Sequence, residues 1–553
     1  MLLGSHLSML RHFLYSAPSM LNYLPFTLLM TSVVTAAITW RPCDDLPGHV
    51  QCANLTVPLD YTNCSNNQTL VLQLVRAPAV TGQSKGSILL NFGGPGATSR
   101  QTLATTNPLL HAMTGGQHDL IAFDPRGTGT TIPFHCYDDF GLIRLALEQT
   151  ASNSSDVALG AIWARAMLDS QTCFETENDT GNLIGTAFVA RDMIRVVDAL
   201  EEDGMLRYWG FSYGTTLGAT VSAMFPERVD KVILDGVQNP HEYYHATADF
   251  EEWTDSDKVV SAIFHTCLDF PENCALSQQG VGAEELEQQF WNLLWQIKYE
   301  PIIVGPFTVD YDLMKLVVAS CLYDSSTWPA LALLLQGLFT GQSNEAMERV
   351  LSAFYPTTYE GTVEAVRLSP PLMGIHCSDR TPRLNTLEEL KPTVDRLYEV
   401  SRFMGDVAAS LQATCVQWRF HAKERYEGDF NVRTANPLLI VNNHFDGHTP
   451  LVSAYNVSSG FEGSHVLEVA GYGHASLAVP SLCTVEHISA YFNDGILPDH
   501  GYVCNATVTP YSGLGWDDVL DLGAAAGKRA ISGTDIGGYR IPRGYAPGHR
   551  WLL

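Results

Sequence analysis

Positive charge is scarce in these 553 residues: 32 Lys and Arg stand against 59 Asp and Glu, a formal net charge of −27. Neutralising phosphate takes clustered cations, so nucleic acid is excluded as a partner, and docking on an anionic membrane surface goes with it. Charge of either sign is thin, at 16% of residues against 46% apolar, which excludes a disordered chain and implies an ample core. None of the twelve cysteines forms a Cys-x-x-Cys pair, so the usual zinc and redox spacings are missing. Neither a metal nor a cofactor is expected. There is no internal repeat and no low-complexity tract, and past residue 37 no run is long and apolar enough to span a membrane. Oligomeric state is not written in the sequence.

The first 37 residues contain one charged side chain, Arg11, and end in an apolar stretch from Tyr23 to Ala37. Val34-Thr35-Ala36 has the small-residue spacing that a signal peptidase reads, so residues 1–36 are expected to be a signal peptide. The alternative, a signal anchor, needs about 20 apolar residues, more than this stretch offers. All cysteines lie beyond it, an even number, which behind a signal reads as disulfides. Seven N-x-S/T sequons, at Asn54, Asn63, Asn67, Asn153, Asn178, Asn456 and Asn505, fit the same extracellular reading of a secreted glycoprotein.

Short apolar, β-branched runs at Ser87–Phe92, Leu120–Phe123, Arg207–Trp209, Val232–Leu234, Leu438–Val441 and Val466–Val469 read as buried strands. Ala187–Leu200 has helical spacing. Strands buried on both faces and alternating with helices indicate an α/β fold with a mostly parallel sheet. Leu55–Leu59 and Leu70–Val75 alternate instead, as an antiparallel starting hairpin would. From Val237 to Asn436 the pattern turns helical, for example at Glu284–Gln296 and Leu313–Leu322, and strand signals resume at Pro437. The expected organisation is a core over residues 37–236 and 437–510, interrupted by a helical lid at 237–436. The Gly- and Arg-rich residues 511–553 read as a loose tail.

Gly210-Phe211-Ser212-Tyr213-Gly214 fits G-x-S-x-G, with a strand running in and a helix-compatible segment running out at Thr215–Phe225. That is the arrangement that exposes a nucleophilic serine on a tight turn at a helix N-terminus. A serine hydroxyl needs a base steadied by a carboxylate. Asp446 follows one later strand, in Asn443-His444-Phe445-Asp446-Gly447-His448, and His474 follows the next, in Gly471-Tyr472-Gly473-His474. The order Ser, acid, His along the chain is the one this arrangement uses. Among rival histidines, His465 starts a strand rather than following one, and His444 and His448 precede the last strand; His474 is the preferred base. Asn91-Phe92-Gly93-Gly94-Pro95-Gly96 follows a strand, where bare backbone can approach a substrate carbonyl. One oxyanion donor is expected from Gly93 or Gly94 and the other from Tyr213. Asp124-Pro125-Arg126-Gly127-Thr128-Gly129 reads as structural, shaping the loop beneath.

On these motifs, with Val57-Pro58-Leu59-Asp60-Tyr61, Leu234-Asp235-Gly236-Val237 and Asp446–Pro450, the chain resembles the α/β-hydrolase family of secreted tripeptidyl aminopeptidases and prolyl-aminopeptidase relatives over roughly residues 40–505. Cys377-Ser378-Asp379 and Cys483…Cys504 resemble its TAP-like carboxy-terminal region. The resemblance implies an α/β-hydrolase fold and the disulfides Cys43–Cys52, Cys136–Cys173, Cys267–Cys274, Cys377–Cys415 and Cys483–Cys504, leaving Cys64 and Cys321 unassigned. Two positions depart from it: Phe92 stands where prolyl-aminopeptidase relatives carry His, and Ala475 where Cys is common.

Three functions follow in order of expectation. The first is a secreted serine exopeptidase acting on free amino termini; the second is a hydrolase of esters, lactones or amides in small molecules. The third is a catalytically dead binding glycoprotein, which an intact Ser212, Asp446 and His474 set argues against. An aminopeptidase needs lid carboxylates for the substrate ammonium. Glu242, Glu251, Glu252 and Asp379 are available, and Glu251 and Glu252 are preferred.

Overall fold

The structure is a computed structural model that describes residues 38–525 except 64, 66, 138–151 and 356–369. The expected signal peptide and Cys64 therefore lie outside the described residues, as does the tail beyond residue 525.

Ten strands form one sheet: β1 (Arg41–Pro42), β2 (Gln51–Pro58), β3 (Thr69–Ala77), β4 (Ser87–Asn91), β5 (Asp119–Phe123), β6 (Leu206–Phe211), β7 (Val229–Asp235), then β10 (Leu439–Phe445), β11 (His465–Tyr472) and β12 (Val503–Asn505). Their spatial order is β1-β2-β3-β5-β4-β6-β7-β10-β11-β12. From β5 to β12 the pairings are parallel, while β1–β2, β2–β3 and β3–β5 are antiparallel. β4 (SILLN) and β6 (LRYWGF) are buried at every residue, as central strands covered on both faces must be. β2 alternates buried with exposed from Ala53 to Val57 and β3 from Thr69 to Leu72, as their sequence pattern demands. Two apolar clusters lie on the two faces of the sheet, one around Met193, Leu217 and Val232, the other around Leu103, Trp209 and Ile488.

Between β7 and β10 the chain is mainly helical, including Ser256–Cys267, Ala283–Tyr299, Tyr311–Cys321, Trp328–Phe339, Leu387–Val400 and Gly405–Val416. A small antiparallel hairpin, β8 (Ile302–Val304) with β9 (Phe307–Val309), interrupts them. These elements bury a third apolar cluster of their own, around Phe264, Phe290, Val317 and Trp328.

Residues 511–525 are not loose. Tyr511 and Trp516 are buried, and the helix Trp516–Ala525 also buries Val519 and Leu520. Tyr511 OH donates to Ile263 O at 3.1 Å, and Trp516 Nε1 to Leu477 O at 2.7 Å. The surrounding glycines hid a short amphipathic helix that gains its stability from packing rather than propensity. The helices Ser99–Thr114, with Pro108 inside, and Ala158–Thr176 were likewise silent in the sequence.

Candidate active site

The turn between β6 and the helix Tyr213–Met224 is dictated by its small residues. Ser212 has φ 57° and ψ −128°, a left-handed backbone that costs a non-glycine residue energy and is kept where function demands it. A Cβ on Gly210 would lie 2.2 Å from Gly214 O, and one on Gly214 would lie 2.7 Å from Asn91 O. Only glycine fits at either end. Ser212 N–H donates to Asp235 O at 3.1 Å, tying the turn to the end of β7. The Ser212 side chain is half-buried, and its Oγ has no hydrogen-bond partner among the described residues.

The structure brings Asp446 and His474 together. β10 runs on to Phe445 and β11 to Tyr472, so both residues stand directly past strand ends. His474 Nδ1 lies 3.0 Å and 3.1 Å from the two Asp446 oxygens. The same carboxylate accepts from His448 N, Thr449 N, Thr449 Oγ1 and Ala475 N at 2.8–3.1 Å. Burial alone would raise the Asp446 pKa, but the charge of His474 and these donors carry the carboxyl below its ordinary range. His474 Nε2 is buried with no partner among the described residues. With Nδ1 turned to the carboxylate, that atom is the one free to take a proton.

Asp235, in the Leu234-Asp235-Gly236-Val237 motif, joins the serine and histidine loops, a role that the sequence alone does not reveal. Its carboxyl accepts from Ser476 N at 2.7 Å, Ser476 Oγ at 2.5 Å and Trp209 Nε1 at 3.1 Å, while its carbonyl holds Ser212 N–H. Burial pushes this carboxyl up to about 6. Gly236 packs so tightly that a Cβ there would lie 2.9 Å from Ala475 Cβ.

The rival histidines are occupied elsewhere. His448 is buried, held down to about 3 by burial, and packs at a tilt against Tyr323 with ring centroids 3.7 Å apart. His444 Nε2 pairs with Glu468 at 2.7 Å, and His465 stacks on His500.

Gly93 presses on the serine: a Cβ there would lie 2.7 Å from Ser212 Cβ and 3.2 Å from Tyr213 N. Its N–H, however, already donates to Asn91 Oδ1 at 3.0 Å. The N–H groups of Gly94 and Tyr213 have no partner among the described residues. Phe92, the departure from the relatives' His, stacks on Phe211 with centroids 5.6 Å apart and clamps the ends of β4 and β6. Arg126 lies entirely inside the protein, paired with Asp192 at 2.6 Å and donating to Pro58 O and Leu59 O.

The four insertion carboxyls separate clearly. Asp379 is fully buried and accepts from Thr186 N, Thr186 Oγ1 and Tyr243 OH; burial pushes it up to about 7. Glu242 accepts from Glu251 N at 2.7 Å and is also pushed up to about 7 by burial. Glu251 is held by Asn239 Nδ2 and by Asn456 Nδ2, the latter exposed on the helix Leu451–Gly460. Glu252 lies in a segment tied to the Asp446 loop. Ser256 Oγ ties its segment to Gly447 O at 2.6 Å, and Trp253 meets the His448 ring edge-on. A chain of hydrogen bonds runs from Glu252 through Gln238 Nε2, then Gln238 N–H to Thr215 Oγ1, and Thr215 Oγ1 to Ser212 O. Burial, then the neighbouring Asp249 charge, holds the Glu252 pKa well above its ordinary value.

Five disulfides join Cys43–Cys52, Cys136–Cys173, Cys267–Cys274, Cys377–Cys415 and Cys483–Cys504, while Cys321 is free and buried. Among the sequon residues, Asn54, Asn63, Asn67, Asn178, Asn456 and Asn505 are exposed and Asn153 is half-buried. No helix among the described residues is long and apolar enough to cross a membrane.

Residues 86–305 match the family model described as alpha/beta hydrolase fold, and residues 401–504 match that of TAP-like protein. A tripeptidyl aminopeptidase of Streptomyces lividans is 25% identical over 496 residues, covering 86% of this chain and 88% of that protein. The serine protease Hip1 of Mycobacterium tuberculosis is 25% identical over 500 residues, 84% of this chain and 91% of that one. A carboxylesterase B of Mycobacterium tuberculosis is 26% identical over 495 residues, 85% and 91% of the two chains. With its strand–serine–helix turn, its Asp–His pair and these relatives, the chain is a serine hydrolase of the α/β-hydrolase fold whose carboxy-terminal residues match the TAP-like model.

Proposed function

We propose that this protein is a secreted exopeptidase that releases short peptides or residues from free amino termini through an acyl-enzyme on Ser212. The carrying observation is the Asp446–His474 pair with its free, buried Nε2, which follows β10 and β11 at the same carboxyl-terminal edge of the parallel sheet as the strained Ser212 turn after β6. In this reading His474 Nε2 takes the Ser212 proton as Oγ attacks the scissile carbonyl, and Asp446 stabilises the resulting imidazolium. The tetrahedral oxyanion is met by Tyr213 N–H and by the Gly93-Gly94 turn. Gly94 is the free donor there, because Gly93 must be shared with Asn91. The imidazolium then protonates the leaving amine, and the amine departs as the carbonyl reforms. Water, deprotonated by the same nitrogen, releases the acyl group and restores Ser212.

Glu252 supports the amino-terminal reading. It is an acid in the insertion, linked by hydrogen bonds to the nucleophile's own carbonyl, and burial holds its pKa well above the ordinary value. A substrate ammonium is the charge that would ionise it, since a buried cation needs a carboxylate beside it. Glu251, engaged by Asn239 and Asn456, is the weaker candidate of the two. Secretion is supported by the apolar amino-terminal stretch, the paired cysteines and the exposed sequons.

The second reading, an esterase of small molecules with the same triad, is favoured by the relative named carboxylesterase B. One substrate panel separates the two. Acetylating the amino terminus of a good peptide substrate should lower kcat/KM by about 100-fold or more, the loss expected when a buried charge pair is left half made. Equal rates on blocked and free peptides, with faster cleavage of simple esters, would promote the esterase instead.

A further inference from the structure

We propose that Asp379, from the insertion, and Thr186, from the core, act together as a positioning pair for the oxyanion donor Tyr213. This rests on the serine-hydrolase reading above and adds residues that touch neither substrate nor reacting atoms. Tyr213 directly follows the nucleophile, so its backbone N–H points where charge develops while its side chain runs down into the protein. The phenol oxygen lies 2.6 Å from Thr186 Oγ1, and Thr186 Oγ1 lies 2.5 Å from Asp379 Oδ2. Each hydroxyl has one proton. With Asp379 ionised, Thr186 donates to the carboxylate and must accept from Tyr213, so the chain has a fixed direction. The ring is steadied further by Tyr243, 5.7 Å away centroid to centroid, whose own hydroxyl donates to Asp379 at 3.2 Å.

The far end of the chain is rigid. Cys377, two residues before Asp379, is bonded to Cys415, and Ser378 Oγ accepts from Trp418 Nε1 at 3.0 Å. Gly185 must lack a side chain, because a Cβ there would lie 2.8 Å from Asp379 Oδ1. All of Tyr213, Thr186 and Asp379 are buried, so water does not compete for these bonds. A residue whose backbone carries an oxyanion donor is thereby held at both ends: at the main chain by the turn, and at the side-chain tip by the insertion. Small displacements of such a donor are costly in rate, because it must meet the oxyanion and not the ground-state carbonyl.

Asp379 also accepts from Thr186 N–H at 3.1 Å, capping the helix Thr186–Ala199, so a purely structural role must be told apart. Thr186→Val keeps that N–H and the side-chain shape but removes the link to Tyr213; Tyr213→Phe removes the link from the other side. Each should lower kcat about tenfold with KM within twofold, and weaken a peptide aldehyde, whose adduct carries the oxyanion, by the same factor. The double variant should be no worse than either single one, because both break one chain. Thr186→Ser should restore the wild-type rate. Wild-type kcat in both single variants, or losses that multiply in the double, would overturn the proposal whatever happens to the thermal midpoint. Fluorophosphonate labelling of the wild type, lost in Ser212→Ala, is run alongside. If that control fails, the serine reading itself is wrong; if it holds while the two single variants turn over normally, only the positioning pair is wrong.

Discussion

Asp446, at the end of β10, and Asp379, in the insertion, are both completely buried carboxyls, yet their surroundings push them in opposite directions. Asp446 meets a histidine and four further donors from its own and the next loop, and is held below its ordinary pKa. Asp379 meets hydroxyls and a single N–H, and burial raises it to about 7. Region alone does not set this: Asp235, at the end of β7, is also raised, to about 6, because like Glu242 and Glu252 of the insertion it is hydrogen-bonded only to uncharged donors. In the proposed mechanism the core strand ends hold the reacting groups, and the insertion holds the acids that read the substrate.

That comparison breaks first at the nucleophile. Ser212→Ala should lower kcat by roughly 10⁴-fold or more and abolish fluorophosphonate labelling while the protein stays folded, since the hydroxyl has no partner to lose. Residual activity near the wild-type rate would remove the triad from the core altogether.

Next in size is a core pair with no catalytic part. Arg126→Met strands Asp192 in the interior, and a buried pair broken on one side costs about 3–5 kcal/mol. Denaturant unfolding should show that loss, and kcat of the folded fraction should stay within twofold. A drop in kcat without a loss of stability would mean that the loop acts on the site directly.

The insertion should answer to the substrate instead. Glu252→Gln is expected to lower kcat/KM about 100-fold on free-amino peptides and by less than threefold on acetylated ones. Glu251→Gln should change the first by only a few-fold, because Asn239 and Asn456 occupy that side chain. Equal losses on blocked and free peptides would show that Glu252 shapes the cleft rather than reads a charge.

The smallest effect is on stability against pH. Asp379 and Glu242 are raised to about 7 and Asp235 to about 6, so between about pH 4 and 7 these three carboxyls bind more protons in the native state than in the unfolded chain and favour folding as pH falls. Four buried histidines oppose them: burial brings His111 and His118 down to about 4 and His376 and His448 to about 3, so their share of stability is lost as pH falls from about 6.5. Asp60 opposes them too. Burial opposes it, but Lys423 and Thr62 bring its carboxyl down to about 2, so its contribution is lost as pH falls from about 4 to 2. Because the two sets oppose each other, the test is the difference between wild type and Asp379→Asn: the variant's thermal midpoint should fall below the wild type's by about 2–5 °C more at pH 5 than at pH 7.5. A difference that is the same at both pH values would contradict the raised Asp379.

Some of this was legible in the residues alone. Continuous apolar runs such as Ile88–Leu90 and Val232–Leu234 can only be strands covered on both faces, so the parallel sheet followed from hydrophobicity. Gly210, Ser212 and Gly214 identify the turn because small residues permit a backbone that others resist, and that is a local property. The cysteine pairs and the order of Ser212, Asp446 and His474 came with the resemblance and the strand rhythm. The roles of Asp235, Thr186 and Asp379 were not legible, because each depends on partners far away in sequence: Asp235 on Ser476, and Thr186 on Asp379. Nor could sequence tell Glu251 from Glu252, since neighbours on a short turn diverge only when side chains as remote as Asn456 and Gln238 claim them. Local chemistry and periodicity determined the fold class and the candidate reactive residues. Tertiary packing alone decided which buried acids are satisfied, because a carboxyl's ionisation is set by whatever donors and charges the fold brings within a few ångströms.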